Sequence, residues 1–340
     1  MRIYLLSIVF LFLVSCRTND NKENISKSEI TLLSEEIIKN PNDINALLDR
    51  VDYNLEKKKY ESALFDLQQC LLLDSLNSKC NYLASLSYFE ISKYDKTRVD
   101  YGKLALKHIR NSIKNDEKNY LALALYGEIN VAYARYKEAI DFFNKSLEIE
   151  YNQYATHHLM GYAFKKLDQL DVAVNCFQNS ININPDYLQS YIEAALVYQL
   201  KNDTLAETFY KNALKIDSSN IIVLYNLGLY YQNNQVYNDA LDTYNELLEN
   251  DAFNSNAHYN IGFIHMELDL FDIAVNNFAD AIYSNSVFYE AYYARGVCFE
   301  TLGNIAQAEV DYARAIEINP EYVYAVDALD NLRTNNMKYK

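Results

Sequence analysis

Three stretches near the C-terminus decide the fold: VLYNLGLYY begins at Val223, AHYNIGFIH at Ala257 and AYYARGVCF at Ala291. Their starts are evenly spaced, and each stretch has tyrosine in third place and glycine in sixth. The whole chain of 340 residues contains only seven glycines. Such regular placement of a rare residue indicates an internal repeat of about 34 residues.

The repeat extends through most of the chain when it is aligned on an alanine that precedes a large apolar or aromatic residue by four positions. The alanines are Ala63, Ala105, Ala139, Ala173, Ala206, Ala240, Ala274 and Ala308, and their spacing is constant except that it is longer into repeat two and one position shorter into repeat five. The residues four positions later are Leu67, Ile109, Phe143, Phe177, Tyr210, Tyr244, Phe278 and Tyr312. Glycines lie twelve positions before an alanine at Gly127, Gly161, Gly228, Gly262 and Gly296. All three prolines, Pro41, Pro185 and Pro320, lie twelve positions after an alanine slot or its extrapolation.

This pattern resembles the tetratricopeptide repeat, whose unit is two antiparallel helices. The resemblance covers about residues 44–320 as eight repeats. It implies an all-α fold, an α-solenoid with capping helices at 28–43 and 321–340. Glycine in the first helix and alanine in the second suit a close crossing of two helices, and the residue four positions after the alanine lies on the same helical face. One unit cannot bury its apolar face alone, so neighbouring units stack.

Three repeats depart from the pattern. Repeat one has Val51 in the glycine slot. Repeat two carries eight extra residues, which we expect as a longer loop between its helices, around Ser92 to Asp100. Repeat five has Ala195 in the glycine slot and is one residue short, and we place the missing residue after that slot.

Composition narrows the class of protein. Half of the residues are apolar, which predicts a folded chain, and the scarcity of glycine and proline favours long helices. The formal net charge of −15 argues against nucleic-acid binding. Tyrosine is in excess, with 32 residues, whereas tryptophan is absent.

The N-terminal residues predict a targeting segment. Met1 and Arg2 precede an apolar run of twelve residues, which is too short to span a bilayer. The run ends in Leu13-Val14-Ser15-Cys16, which resembles the lipobox of bacterial lipoproteins. The resemblance implies a signal peptide at 1–15 and a lipid on Cys16, and the polar residues up to 27 predict a flexible tether. An ordinary secretory signal with a chance cysteine is the alternative.

The residues after Cys16 bear on location. By analogy with lipoprotein sorting in diderm bacteria, Arg17 is not the aspartate that causes inner-membrane retention. We therefore expect an outer-membrane lipid anchor that faces the periplasm. Asp20 and Glu23 are a weak form of an acidic export signal, which leaves cell-surface exposure open.

No motif predicts catalysis. The chain lacks His-Glu-x-x-His, a Walker phosphate loop and Gly-x-Ser-x-Gly, so we predict no catalytic residue, no cofactor and no metal. His258 and His265 are seven residues apart on one helical face, but they occupy slots where these repeats place packing residues. Cys70 and Cys80 are close enough in sequence for a disulfide, and the sequence leaves that pairing open.

The resemblance also implies a binding surface, because one face of each first helix lines a concave groove for peptides or partner helices in that family. The groove positions predict ligand-binding roles for Tyr225, Asn226, Tyr259, Asn260, Phe263 and Tyr293. Tyrosine offers a large apolar face and a hydrogen-bonding tip at low entropic cost. Inheritance by duplication, or packing between units, would also explain the repeated tyrosine.

The groove positions have acidic neighbours in Glu193, Glu267, Glu290 and Glu300. No basic cluster lies there in the C-terminal half, although Lys165 and Lys166 lie in repeat four, so we expect an apolar ligand with neutral or basic groups. We predict a non-catalytic, membrane-anchored scaffold that binds partner proteins or peptides and organises an envelope complex. The alternative is a binder of glycans or small ligands on a tyrosine-lined groove. Affinity for cell-wall fragments with little salt dependence would favour the glycan, and a co-purifying protein would favour the scaffold.

Overall fold

A computed structural model describes residues 19–95 and 97–338, with side chains for residues 29–334 apart from 96 and 99. The predicted signal peptide and Cys16 lie outside the described residues. Within that part, eighteen α-helices and no strand are present. None of these helices is both long and apolar enough to cross a bilayer.

The chain forms two compact units, which meet in sequence at Ser190 and Tyr191. The first contains α1 (Asn19–Lys39), α2 (Ile44–Glu56), α3 (Tyr60–Leu73), α4 (Ser78–Tyr94), α5 (Val99–Asn115), α6 (Tyr120–Ala132), α7 (Tyr136–Ile149), α8 (Tyr154–Lys166) and α9 (Leu170–Ile183). Helix α10 (Leu188–Leu200) carries the boundary. The second contains α11 (Leu205–Ile216), α12 (Ile221–Asn233), α13 (Tyr237–Asn250), α14 (Ser255–Glu267), α15 (Phe271–Ser284), α16 (Tyr289–Thr301), α17 (Ile305–Ile318) and α18 (Val323–Lys338).

First and second helices alternate along the described chain. Each even-numbered helix from α2 to α16 is followed, after three or four residues, by its second helix. Most first helices have 13 residues and most second helices have 14. The predicted all-α class is confirmed. In repeat five, α10 starts one full repeat length after α8, so the missing residue falls after Ala195, as expected.

Within a repeat, the buried ring of the second helix lies directly over the glycine of the first. A β-carbon on Gly262 would lie 2.9 Å from the ring of Phe278, and one on Gly228 would lie 2.5 Å from the ring of Tyr244. Real β-carbons do not approach other atoms so closely, so these positions have no room for a side chain. The expected close crossing of the two helices is present.

In repeats one and two, other residues occupy the glycine slot and the second-helix position that faces it. Val51, in the glycine slot of repeat one, is buried together with the aliphatic Leu67. In repeat two, Ser85 is buried in the corresponding slot and its hydroxyl donates to the Ala105 carbonyl at 2.8 Å. A smaller second-helix residue therefore accompanies a larger first-helix residue. Repeat five is different, since it pairs Ala195 with the ring of Tyr210.

The extra residues of repeat two do not form the expected loop. Helices α4 and α5 have 17 residues each, and only residues 95–98 connect them. The expectation of a long loop around Ser92 to Asp100 is wrong. An α-helix has about 3.6 residues per turn, so adding close to one turn to each helix keeps its apolar face in phase.

Residues 19–27, expected to be part of a flexible tether, begin helix α1. The predicted capping helix therefore starts nine residues earlier than residue 28. No glycine or proline interrupts the sequence before Pro41, which explains why the helix can extend towards the N-terminus.

Cys70 and Cys80 lie on the packed helices α3 and α4, and both are buried as free thiols. A hydrogen bond between the two thiols lowers the pKa of Cys70. The pair is a buried contact within the apolar core of the first unit.

Candidate functional site

The three predicted groove tyrosines occupy equivalent places in the second unit. Tyr225, Tyr259 and Tyr293 are each the fifth residue of a first helix, in α12, α14 and α16. All three are half-buried. Among the described residues, none of their hydroxyls has a protein hydrogen-bond partner. Each residue therefore combines a supported ring with an available polar tip.

Each of these rings rests on the core ring of its own repeat. Ring centroids are 6.3 Å apart for Tyr225 and Tyr244, and 5.5 Å apart for Tyr259 and Phe278. For Tyr293 and Tyr312 the distance is 5.8 Å. The ring that covers the glycine thus also supports the tyrosine at the surface.

Two of the three tyrosines have further aromatic support, from the residue just before the next first helix. Phe288 lies 5.1 Å from Tyr259, and Tyr322 lies 5.5 Å from Tyr293. The equivalent residue after Tyr225 is Asn254, whose side chain instead caps α14 by accepting from the Ala257 N–H at 3.0 Å. Tyr225 is therefore the least supported ring.

The sequence analysis did not predict that Phe288 and Tyr322 support Tyr259 and Tyr293, although the sequence contains a signal for this contact. Asparagine precedes and caps four first helices, namely Asn77, Asn119, Asn220 and Asn254. A large aromatic in a slot that usually caps a helix indicates a packing role instead.

The two asparagines at the sixth position behave differently. Asn226 is half-buried and donates to the Ile222 carbonyl at 2.9 Å. Asn260 is only 7% exposed, and its amide donates to the Tyr244 hydroxyl at 3.1 Å. The prediction that Asn260 contacts a ligand is therefore replaced by a structural role. Successive residues of an α-helix are rotated by about 100° about its axis, so the sixth position points towards the preceding second helix.

The core tyrosines have a repeated hydrogen bond of their own. Their hydroxyls donate to a side chain near the end of the first helix, from Tyr210 to Gln199 at 2.8 Å, from Tyr244 to Gln232 at 2.8 Å and from Tyr312 to Glu300 at 2.6 Å. Where the ring is Phe278, the corresponding first-helix residue is Met266. The pairing of Tyr with Gln or Glu was a sequence signal for this contact.

Phe263 and its equivalents extend the surface along each helix. Phe263 is half-buried beside Tyr259 and packs on the core around Phe278. Val297 is half-buried beside Tyr293 and packs on the core around Tyr312. Tyr324, at the second position of α18, lies 6.3 Å from Tyr293 and is 67% exposed. We call the following residues the tyrosine strip: Ile222, Tyr225, Leu229, Tyr259, Phe263, Tyr293, Val297 and Tyr324.

Tyr259 and Tyr293 remain protonated at neutral pH. Burial raises the pKa of Tyr259, and the nearby carboxylate of Glu290 raises it further. Burial likewise raises the pKa of Tyr293, with a second contribution from Glu300. Their hydroxyls can therefore donate hydrogen bonds to a ligand over the whole physiological range.

Among the described residues of the first unit, the same surface is not repeated. His158, in the same fifth position, is buried, with its Nδ1 3.0 Å from the Ser190 hydroxyl. On the first helices α4 and α6, Lys93 lies 2.9 Å from Glu128 and 2.5 Å from Glu90, and all three side chains are largely buried.

The other histidines lie in packing contacts. His157 and His258 each place Nε2 3.1 Å from a backbone carbonyl six residues earlier, that of Tyr151 and of Ala252. His265 lies with Nδ1 3.2 Å from the Asn277 amide. Within the described residues, no group of His, Cys, Asp and Glu is arranged to hold a metal ion.

Comparison with known proteins identifies the repeat. Tetratricopeptide-repeat family models match residues 154–187, 223–252 and 289–322. The TPR repeat-containing protein MJ1428 of Methanocaldococcus jannaschii is 26% identical over 212 residues. That match covers 58% of this chain but 35% of the relative, so the chain spans about a third of that protein's length.

Solved structures of the same kind are similar. YrrB, described as a TPR protein with an unusual peptide-binding site, is 20% identical with a TM-score of 0.46, over 55% of this chain and 96% of its own. A tetratricopeptide repeat protein from Parabacteroides merdae is 14% identical with a TM-score of 0.49, over 74% of this chain and 99% of its own. The family matches and the helix pairs show that the chain contains tetratricopeptide repeats and that its fold class is an all-α solenoid.

The different support of the strip and core rings predicts different costs of truncation. Tyr312→Ala removes a fully buried ring and should lower the free energy of unfolding by about 3–5 kcal/mol. Tyr225→Ala removes a half-buried ring with one aromatic neighbour and should cost about 1 kcal/mol. Denaturant unfolding followed by circular dichroism measures both, and equal losses would show that Tyr225 is a core residue.

Proposed function

We propose that the protein is a non-catalytic scaffold that binds a partner protein or peptide on the tyrosine strip. The observation that carries this proposal is the repetition of one arrangement on three successive first helices. In each, a half-buried tyrosine ring packs on a core ring, while the tyrosine hydroxyl has no partner among the described residues.

A surface of this kind suits protein binding. Tyrosine has two side-chain torsions, so ordering it costs little, and its ring and hydroxyl serve apolar and polar contacts together. The rings here are already held by Tyr244, Phe278 and Tyr312, which lowers that cost further. Such pre-ordered aromatic residues commonly dominate the affinity of an interface.

The partner-binding proposal can be tested by site-specific photo-crosslinking in the native host. A benzophenone amino acid replaces Ile222 or Tyr324, which are 63% and 67% exposed on the strip. Matched controls carry it at Val310 or Tyr283, which are 67% and 81% exposed on second helices. We expect a discrete protein adduct from the strip positions alone, whereas equal adducts from the second helices would contradict the proposal.

We further propose that the scaffold is held at the outer membrane by a lipid on Cys16, facing the periplasm, and that it organises an envelope complex there. The support is the sequence Leu13-Val14-Ser15-Cys16 after an apolar run. Each buried methylene of an acyl chain contributes about 0.8 kcal/mol to membrane binding, so several chains hold an acidic protein at a bilayer.

The anchor has its own test. Cys16→Ala removes the thiol that would carry the lipid, so the variant should take up no labelled fatty acid and should leave the membrane fraction. Metabolic labelling with an alkyne fatty acid, followed by fractionation, measures both. An unlabelled wild-type protein, together with membrane association of the variant, would contradict the lipid anchor while leaving the strip proposal intact.

A further inference from the structure

The excess of acidic over basic residues lies in one region of the chain. Residues 216–334 contain 18 acidic and three basic residues, a net charge of −15, whereas the rest of the chain contains 28 of each. The net charge of the whole protein therefore equals that of the region that carries the entire tyrosine strip.

The three basic residues of this region are already used. Arg295 binds Asp311 at 2.8 Å, Arg314 binds Glu317 at 2.6 Å, and Arg333 binds Glu309 at 2.8 Å. Arg295 also donates a second hydrogen bond to Asp311, in a two-pronged pair that is largely buried. These guanidinium groups neutralise carboxylates elsewhere than on the strip.

Four carboxylates share the helical faces of the strip. Glu290 and Glu300 flank Tyr293 at spacings of three and seven residues, and Glu267 and Asp327 occupy the same faces of α14 and α18. Glu290 lies close enough to Tyr259 to affect its titration, and Glu300 does the same for Tyr293. Within the described residues, none of the four forms an ion pair with Lys or Arg.

On the corresponding faces of the first unit, a lysine neutralises the carboxylates. There the carboxylates of Glu90 and Glu128 both contact the ammonium group of Lys93. The strip in the second unit offers uncompensated carboxylates beside tyrosine rings, which attract cations through both charge and the electron-rich ring face.

We propose that the tyrosine strip selects peptide segments in which lysine or arginine alternates with apolar residues. The apolar side chains contact Phe263, Val297 and the tyrosine rings, and the cationic side chains lie between those rings and the carboxylates of Glu290 and Glu300. This assignment rests on the proposed function and adds the chemical class of the partner.

Three dye-labelled peptides of equal length test the assignment on the whole protein. The first alternates leucine with lysine, and the other two replace every lysine with glutamine or with glutamate. Fluorescence anisotropy should show that the lysine peptide binds about tenfold more tightly than the glutamine peptide, from two or more favourable charge contacts. Its Kd should rise with ionic strength, because salt screens exposed charges.

A pair of matched double variants separates the strip from the overall charge. Glu290→Gln with Glu300→Gln should weaken binding of the lysine peptide about three- to tenfold. Glutamine at 300 can still accept from Tyr312, as Gln199 and Gln232 do from their own tyrosines. The control, Glu249→Gln with Asp280→Asn, changes the net charge equally at exposed positions of α13 and α15, and should change the Kd less than about twofold.

Each outcome decides one claim. Equal binding of the lysine and glutamine peptides would overturn the charge selection and leave a peptide-binding strip. Equal weakening by both double variants would assign the selection to the general field of the region and overturn the roles of Glu290 and Glu300. If none of the three peptides binds, the assignment is overturned, and the photo-crosslinking experiment then decides whether the strip binds another protein surface.

Discussion

The contact between a second-helix ring and a first-helix glycine is the constraint on which the rest of this fold depends. At Gly228, Gly262 and Gly296 the ring lies where a side chain would begin, so the two helices of a repeat are as close as the backbone allows. We call the contact between the glycine slot and the second-helix residue that covers it the seam. In repeat one Val51 and Leu67 form the seam, and both are fully buried. Side-chain volume is therefore shared across the seam, as expected of a core at close-packed density.

The candidate binding surface follows from this constraint. The ring that covers the glycine has a second face, and the fifth residue of the first helix rests on it, as Tyr259 does on Phe278. The fold and the candidate surface thus share one ring, but only in part, because the strip tyrosines keep an exposed portion and a hydroxyl without a partner among the described residues. The proposed selectivity for cationic segments rests on charge, because residues 216–334 contain far more acidic residues than the three arginines, which are already paired.

Periodicity alone was enough to predict the helix pairs, the seam and the places of Tyr225, Tyr259 and Tyr293, because regular packing demands regular residue size. It could not locate the eight extra residues of repeat two, since one added turn per helix preserves the apolar phase and leaves no break in the pattern. Nor did it show that Asn260 is buried under the surface, because that depends on its contact with Tyr244 of the preceding repeat. Contacts between repeats, such as that of Phe288 with Tyr259, require the three-dimensional arrangement.

The most direct test of the seam contact is a double-mutant cycle. It introduces the valine and leucine of repeat one, Val51 and Leu67, at the equivalent positions of repeat seven, Gly262 and Phe278. Gly262→Val alone should destabilise the protein by about 1–3 kcal/mol through overpacking against Phe278. Adding Phe278→Leu removes the ring that clashes, so the double variant should be more stable to denaturant than Gly262→Val by itself. If the two substitutions instead lower the free energy of unfolding additively, the residues do not share the seam and the account is contradicted.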